Sequence, residues 1–347
     1  MQAAVMYGKE DVRLEEVIKP DINENEILLQ VKSVGICGTD LRIIKNGHQT
    51  ISESSPRILG HEISGVIVEV GKNVSYYQDG MRVAVSPNVG CGVCDFCVAG
   101  DFHMCQDYTA LGVQLDGGFA EYVRIPEAFI RNGNLVEIPT HVSFEEASIN
   151  EPLSCVYNGL SVTEVKPGDV VLVIGAGPIG VMHALLAKLA GASKVIISNR
   201  STHRLEICKE LDDSFITVES AHLESTIQEH TNGKGVDVCI VAVSSPSAQE
   251  QAVELAGVYG KVNFFGGLPK GSEYIRINGN LLHYKQITLT GTTKANNSHF
   301  RETMKFISSG ILDVNKLVSK HFSISQFEDA INYARSSKGL KAVISFE

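Results

Sequence analysis

The chain has no excess of positive charge: 30 Lys and Arg against 40 Asp and Glu leave a formal net charge of −10 over 347 residues. A basic face able to neutralise phosphates is therefore missing, and no nucleic-acid partner is expected. Long apolar runs are missing too. Val170–Ile174 is short, and Val181–Ala190 is interrupted by His183 and Lys188. Neither approaches the ~20 residues that span a bilayer, so no membrane partner is expected. The opening segment MQAAVMYGKEDVRLEE holds no positive stretch leading into an apolar block, so no signal peptide is read and a cytoplasmic location is expected. Internal repeats and low-complexity segments are absent. What remains is an ordinary globular composition, 44% hydrophobic and 20% charged, in a chain long enough for two domains.

Eight cysteines need an explanation that a reducing location denies to disulfides. Four of them crowd together as Cys91-x2-Cys94-x2-Cys97-x7-Cys105. Four thiolates with no open position suit a structural zinc, which would staple a loop with little core of its own. Iron–sulfur clusters also use four cysteines, but this tight spacing favours zinc.

Up to about residue 150 the chain reads as short strands, among them Ile27–Val34, Ile63–Val70 and Met81–Val85, bounded by Gly, Pro, Asn and Asp. Beyond Glu151 the texture changes to strands alternating with helices. Val170–Ile174, Val195–Ser198, Val236–Val243 and Lys261–Phe265 read as strands; Ile179–Leu189, Thr202–Leu211 and Ala248–Ala256 as helices. That alternation calls for a parallel, doubly wound α/β sheet. The tail ends in a strand-like Ala342–Phe346.

Between the first strand and helix of this half lies Gly175-Ala-Gly177-Pro178-Ile179-Gly180. The first glycine permits a tight turn and the second lets backbone approach a pyrophosphate. The third lets helix and strand pack closely, with the helix N-terminus facing the anion. NAD sites usually carry Asp or Glu at the end of the next strand to bind the ribose hydroxyls. Here Asn199 stands in that place, followed by Arg200 and, a helical turn on, Arg204. A missing carboxylate removes repulsion against a 2′-phosphate and a guanidinium can bind it, so NADP(H) is expected over NAD(H). Two solvated arginines at a helix start are the plainer alternative.

A second constellation is dispersed: Cys37 in GICGTD, His61 and Glu62 in GHE, and Glu151 in NEPLS. Thiolate, imidazole and carboxylate form the mixed set of a catalytic zinc with an open position. Taken singly, each is an ordinary core or surface residue, and spacing alone does not assemble them.

In these motifs, together with Asp116-Gly-Gly-Phe-Ala-Glu-Tyr122, the sequence resembles the zinc-containing medium-chain dehydrogenases, and among them the sorbitol and polyol branch. The resemblance covers essentially the whole chain. It implies a mostly β, GroES-like catalytic domain over residues 1–153, completed by 293–347, with a Rossmann dinucleotide-binding domain at 154–292 inserted in it. It implies two zinc ions per chain, one structural and one catalytic, the latter held by Cys37, His61, Glu62 and Glu151, the carboxylates directly or through water. Thr39 would take the substrate's proton as hydride passes to NAD(P). The EPL form, where alcohol dehydrogenases often have cysteine, suggests a polyol such as sorbitol or xylitol as substrate. Relatives are commonly homodimers or homotetramers.

One departure matters. Many relatives carry a histidine three residues beyond the relay hydroxyl, and this chain has Arg42. The proton's exit is then open, with His48 or a water chain as candidates. Arg42 and Lys45 also resemble the galactitol-phosphate dehydrogenases locally, which keeps a polyol phosphate, or an aldonate, as the alternative substrate. A non-catalytic nucleotide-binding protein on this fold is the remaining alternative; it would be favoured by loss of a ligand or of the hydroxyl, and all are present.

Overall fold

The computed structural model describes residues 1–347. Met1–Ser154 and Ala295–Glu347 form one compact unit, and Cys155–Lys294 forms another. No helix is long and apolar enough to cross a membrane.

The second unit is the expected doubly wound sheet. From edge to edge its strands are Ile216–Glu219, Lys194–Asn199, Val170–Ile174, Val236–Val241, Ala256–Phe264 and Thr288–Gly291, all parallel. Numbered along the chain, this is the order 3-2-1-4-5-6, with the topological switch beside the first strand. Val171, Leu172 and Val173 are fully buried, as a strand covered on both faces requires. Two strand boundaries are among the departures from the sequence reading. Val236–Val241 ends two residues early, and Val243 beyond it lies against the glycine turn. The following strand begins earlier, at Ala256, which pairs with Val236 before the register shifts.

Helix Pro178–Leu189 packs on this sheet and carries His183 at 0% exposure. Its ring meets Phe265 edge-on, with centroids 4.7 Å apart, and neither ring nitrogen has a protein hydrogen-bond partner. Burial alone pushes its pKa down to about 3. The neutral ring is therefore compatible with the fold, whereas the unfolded chain takes up a proton near pH 6.5. Stability from this residue is complete above pH 6.5 and is lost as the pH falls towards 3, at up to about 1.4 kcal/mol per unit. We expect His183→Leu to unfold in urea with a pH 5 to pH 8 difference about 2 kcal/mol smaller than wild type. Equal differences would show that the ring is not held neutral.

The first unit is mainly β. One sheet runs Leu135–Glu137, Arg82–Val85, Glu62–Val70, Ile27–Gly35, Lys341–Ser345, Val318–Ser323, with Tyr122–Ile125 also on Ile27–Gly35. A smaller sheet joins Asp11–Glu16, Gln2–Gly8 and Arg57–Ile58. Between strands lies a helix absent from the sequence reading, Gly38–Asn46. Its start is fixed by a local hydrogen-bond box instead of by apolar periodicity, and that box is part of the site.

Candidate functional site

Cys37 is the N-cap of helix Gly38–Asn46. Its sulfur accepts from the Thr39 N–H at 3.5 Å, and Asp40 Oδ2 accepts from the Cys37 N–H at 2.9 Å. Its sulfur therefore sits at the positive end of the helix. Asp40 is fully buried. Its other oxygen accepts from the Gly60 N–H at 3.4 Å and lies 3.3 Å from His61 Nδ1. One carboxylate thus joins the helix start to the turn that carries His61 and stands beside its ring, without a hydrogen bond to Nδ1. Burial opposes protonation of His61, but the negative charge expected at Asp40 and Cys37 outweighs it and raises its pKa well above the usual range.

The GHE turn is braced from behind by Asp116-Gly-Gly-Phe. The N–H groups of Gly117, Gly118 and Phe119 bond the carbonyls of Ile58, Gly60 and Leu59 at 2.8, 2.8 and 3.0 Å. A Cβ on Gly117 would sit 2.1 Å from the Gly60 carbonyl oxygen. That glycine is required by close backbone approach.

Ligand atoms of Cys37, His61 and Glu62 all lie within 4.8 Å of one another. The donor set of soft sulfur, imidazole nitrogen and carboxylate oxygen fits a zinc ion with room for a further ligand. Glu151 is buried, at 8% exposure, but stands outside that group. Its segment is pinned by Asn150, which donates to the Phe300 carbonyl at 2.9 Å and accepts from Thr303 Oγ1 at 2.7 Å. Thr39 is half-buried, and Arg42 donates to its Oγ1 at 3.5 Å.

Sequence reasoning missed Lys341. Its ammonium is buried, donates to Glu62 Oε1 at 2.6 Å, contacts Oε2, and donates to the Ile36 carbonyl at 2.8 Å. Burial opposes its charge, but Glu62, with Cys37 and Glu151 adding to the field, holds its pKa above normal. The signal was a lysine opening the otherwise apolar run Lys341-Ala-Val-Ile-Ser345; a charge at that place in a central strand needs a partner.

Cys91, Cys94, Cys97 and Cys105 also converge, all sulfurs lying within 4.8 Å of one another. Cys91 and Cys97 are 4.0 Å apart and Cys94 and Cys105 3.7 Å, and all are free thiols. A zinc tetrahedron with bonds of ~2.3 Å has sulfur–sulfur edges of about 3.8 Å, so the four fit such an ion without rearrangement.

In the other unit, Gly175 has φ +114°, and a Cβ there would strike Val243 at 2.5 Å; on Gly180 it would lie 1.7 Å from the Gly175 carbonyl oxygen. A Cβ on Gly177 would meet nothing within 4 Å, so the open face of the turn is bare beside the N-terminus of Pro178–Leu189. That helix starts with Pro178 and Ile179, without a side-chain cap. Such uncapped N–H groups suit a phosphate. Asn199 Oδ1 accepts from the Ala176 N–H at 3.4 Å, and Arg204 Nη1 donates to the Ala176 carbonyl, also at 3.4 Å. Both therefore brace the turn, while Arg200 is exposed at the strand's end.

Comparison with known proteins agrees with this geometry. Residues 23–139 match the alcohol dehydrogenase GroES-like domain, and residues 178–309 the zinc-binding dehydrogenase domain. The chain is 33% identical to a sorbitol dehydrogenase of Bacillus subtilis (strain 168), covering 97% of this chain and 94% of that protein. It is 34% identical to an L-threonine 3-dehydrogenase of Rhizobium johnstonii, covering 100% and 99%. Among solved structures, a zinc-binding dehydrogenase of Sinorhizobium meliloti 1021 bound to NADP superposes with a TM-score of 0.90 at 27% identity, over 99% of each chain.

Proposed function

Because the chain belongs to the zinc-dependent medium-chain dehydrogenase family, and is an oxidoreductase of it, we propose that it oxidises a secondary alcohol of the polyol class to a ketone with NADP as the preferred acceptor. The observation that carries the reading is the convergence of Cys37, His61 and Glu62, with the Thr39 backbone N–H bonded to the Cys37 sulfur. Cys37 and His61 would hold the catalytic zinc with a carboxylate from Glu62 or Glu151, and the four-cysteine loop would hold the structural one. Bound zinc supplies Lewis acidity that lowers the alcohol's pKa, and bound nicotinamide supplies the hydride acceptor.

The chain's own part is orientation and proton handling. Asp40, beside Nδ1 of His61, leaves the ring's far nitrogen as the ligand atom. Thr39 Oγ would take the alcohol proton as it gives up its own. Arg42 cannot carry it further, since a guanidinium stays protonated and only donates; its hydrogen bond instead leaves the Thr39 proton pointing elsewhere, to solvent. The bare turn at Gly177 receives the pyrophosphate, and Asn199 in place of a carboxylate leaves room for a 2′-phosphate beside Arg200. A cytoplasmic location and a homo-oligomeric state complete the reading.

The test is a rate screen at 340 nm with the zinc-loaded protein. It covers sorbitol, xylitol, galactitol, galactitol phosphate, an aldonate and L-threonine, each with NAD and NADP. A rate with a polyol that is abolished by chelation supports the reading; a rate with L-threonine alone replaces the substrate class. For the cofactor, Arg200→Ala is expected to raise the KM for NADP roughly tenfold or more, the scale of a lost charged hydrogen bond of about 1.5–3 kcal/mol, and to leave that for NAD nearly unchanged. Equal effects would remove the preference. Arg204→Ala is less diagnostic, because Arg204 also braces the turn.

A further inference from the structure

The buried pair of Lys341 and Glu62 has no part in holding or moving the substrate's proton, yet it stands at the metal cluster. Strand register explains how it gets there. Gly35 is opposite Glu62 on one side and Val343 on the other, and Lys341 lies two residues before Val343, on the same face of its strand. A Cβ on Gly35 would sit 1.9 Å from Glu62 Oε2, so the absent side chain is the space the carboxylate fills. The lysine's three donors are fully used, on the two Glu62 oxygens and on the carbonyl of Ile36, the residue before Cys37.

We propose that Lys341 is a positioning residue that holds Glu62 off the metal, as a charge-balanced outer carboxylate; this rests on reading Cys37 and His61 as metal ligands. Glu62 lies within 4.8 Å of the Cys37 and His61 ligand atoms, near enough to swing onto a metal. To do so it must abandon a lysine that is 4% exposed, too deeply buried for bulk solvent to take the carboxylate's place. The pair is electrically neutral towards the site. The anion left within the cluster is Cys37, with Glu151 outside it, and a coordination position stays open for substrate. Without the ammonium, Glu62 is a spare anion beside a dication, and it closes that position.

The experiment uses the cobalt(II)-substituted holoenzyme. Lys341→Met is expected to shift the visible cobalt spectrum towards lower intensity, as for an added oxygen ligand. Metal loss to a chelator should slow, because Glu62 becomes an added ligand, and kcat/KM for the alcohol should fall roughly 10–100-fold, the range for residues supporting metal ligands, with KM raised because the carboxylate competes with the alcohol for the open position. Lys341→Arg should restore the wild-type spectrum. Glu62→Gln, which keeps an acceptor for Lys341, should retain both metals. An unchanged spectrum and chelation rate in Lys341→Met, or loss of a metal in Glu62→Gln, overturns the proposal. Cys37→Ser separates the two levels. If it keeps both metals, the metal-ligand reading itself fails; if it loses one, the Lys341→Met result bears on the positioning role alone.

Discussion

Cys37→Ser is expected to remove one of two bound metals and to lower turnover by at least ~10³-fold while leaving the fold intact. The size follows from the several kcal/mol that a Lewis acid contributes to the transition state, at tenfold per 1.36 kcal/mol. The intact fold follows from the local geometry. Cys37 is also the N-cap of helix Gly38–Asn46, and serine is among the best N-cap residues. The substitution thus removes a metal ligand and keeps the helix cap. Metal analysis, the far-UV spectrum and the thermal midpoint measured together check this. A midpoint several degrees lower, with activity lost in proportion to unfolding, would contradict it.

Cys91→Ser should show the reverse pattern. The loop from Gly90 to Cys105 has little core: Val93, Phe96 and Val98 are exposed, and mainly Phe102, His103 and Cys105 are buried. Apparent binding energies of structural zinc run to ~10–16 kcal/mol in small domains. Losing even a third of that costs about 4 kcal/mol, a fall of roughly 10 °C in midpoint at ~2–4 °C per kcal/mol. Activity per folded molecule at low temperature should change far less than in Cys37→Ser. Calorimetry beside a rate assay of the soluble fraction is the check. A midpoint within a degree or two of wild type would mean that the four sulfurs hold no stabilising ion.

The Rossmann half was readable because its signals are local. A continuous apolar run followed by a glycine turn and a periodic helix admits few other structures, and the alternation of strand and helix carries the parallel sheet. The four-cysteine loop was equally plain, since its ligands are near neighbours in sequence. The Cys37 cluster was different: its members come from a helix cap and the start of a strand, and only a family resemblance brought them together. Helix Gly38–Asn46 was missed because a polar box, not a periodic face, starts it. Lys341 was missed for a related reason. Its partner is 279 residues away, so a lysine opening an apolar run could signal burial without showing what it pairs with. Asp116-Gly-Gly-Phe served in the sequence as a family mark; its physical role, a backbone brace behind the GHE turn, needed coordinates.

The seating of strand Lys341–Ser345 between Ile27–Gly35 and Val318–Ser323 has a consequence for the order of events during biosynthesis. The Ser33–Gly35 end of the earlier strand is made near the start of translation, but its neighbour on that side is among the last residues to be synthesised. The ribosome must first produce the entire inserted dinucleotide unit. Until then the sheet keeps an open edge beside Gly35, and Glu62 is buried next to no cation. Pairings of such long sequence separation are slow to close, and open edges invite misassociation. The inserted unit can reach its native state early, while the metal-binding unit waits for the final strand. A nascent chain halted shortly before Lys341 should therefore bind dinucleotide but remain dependent on chaperones.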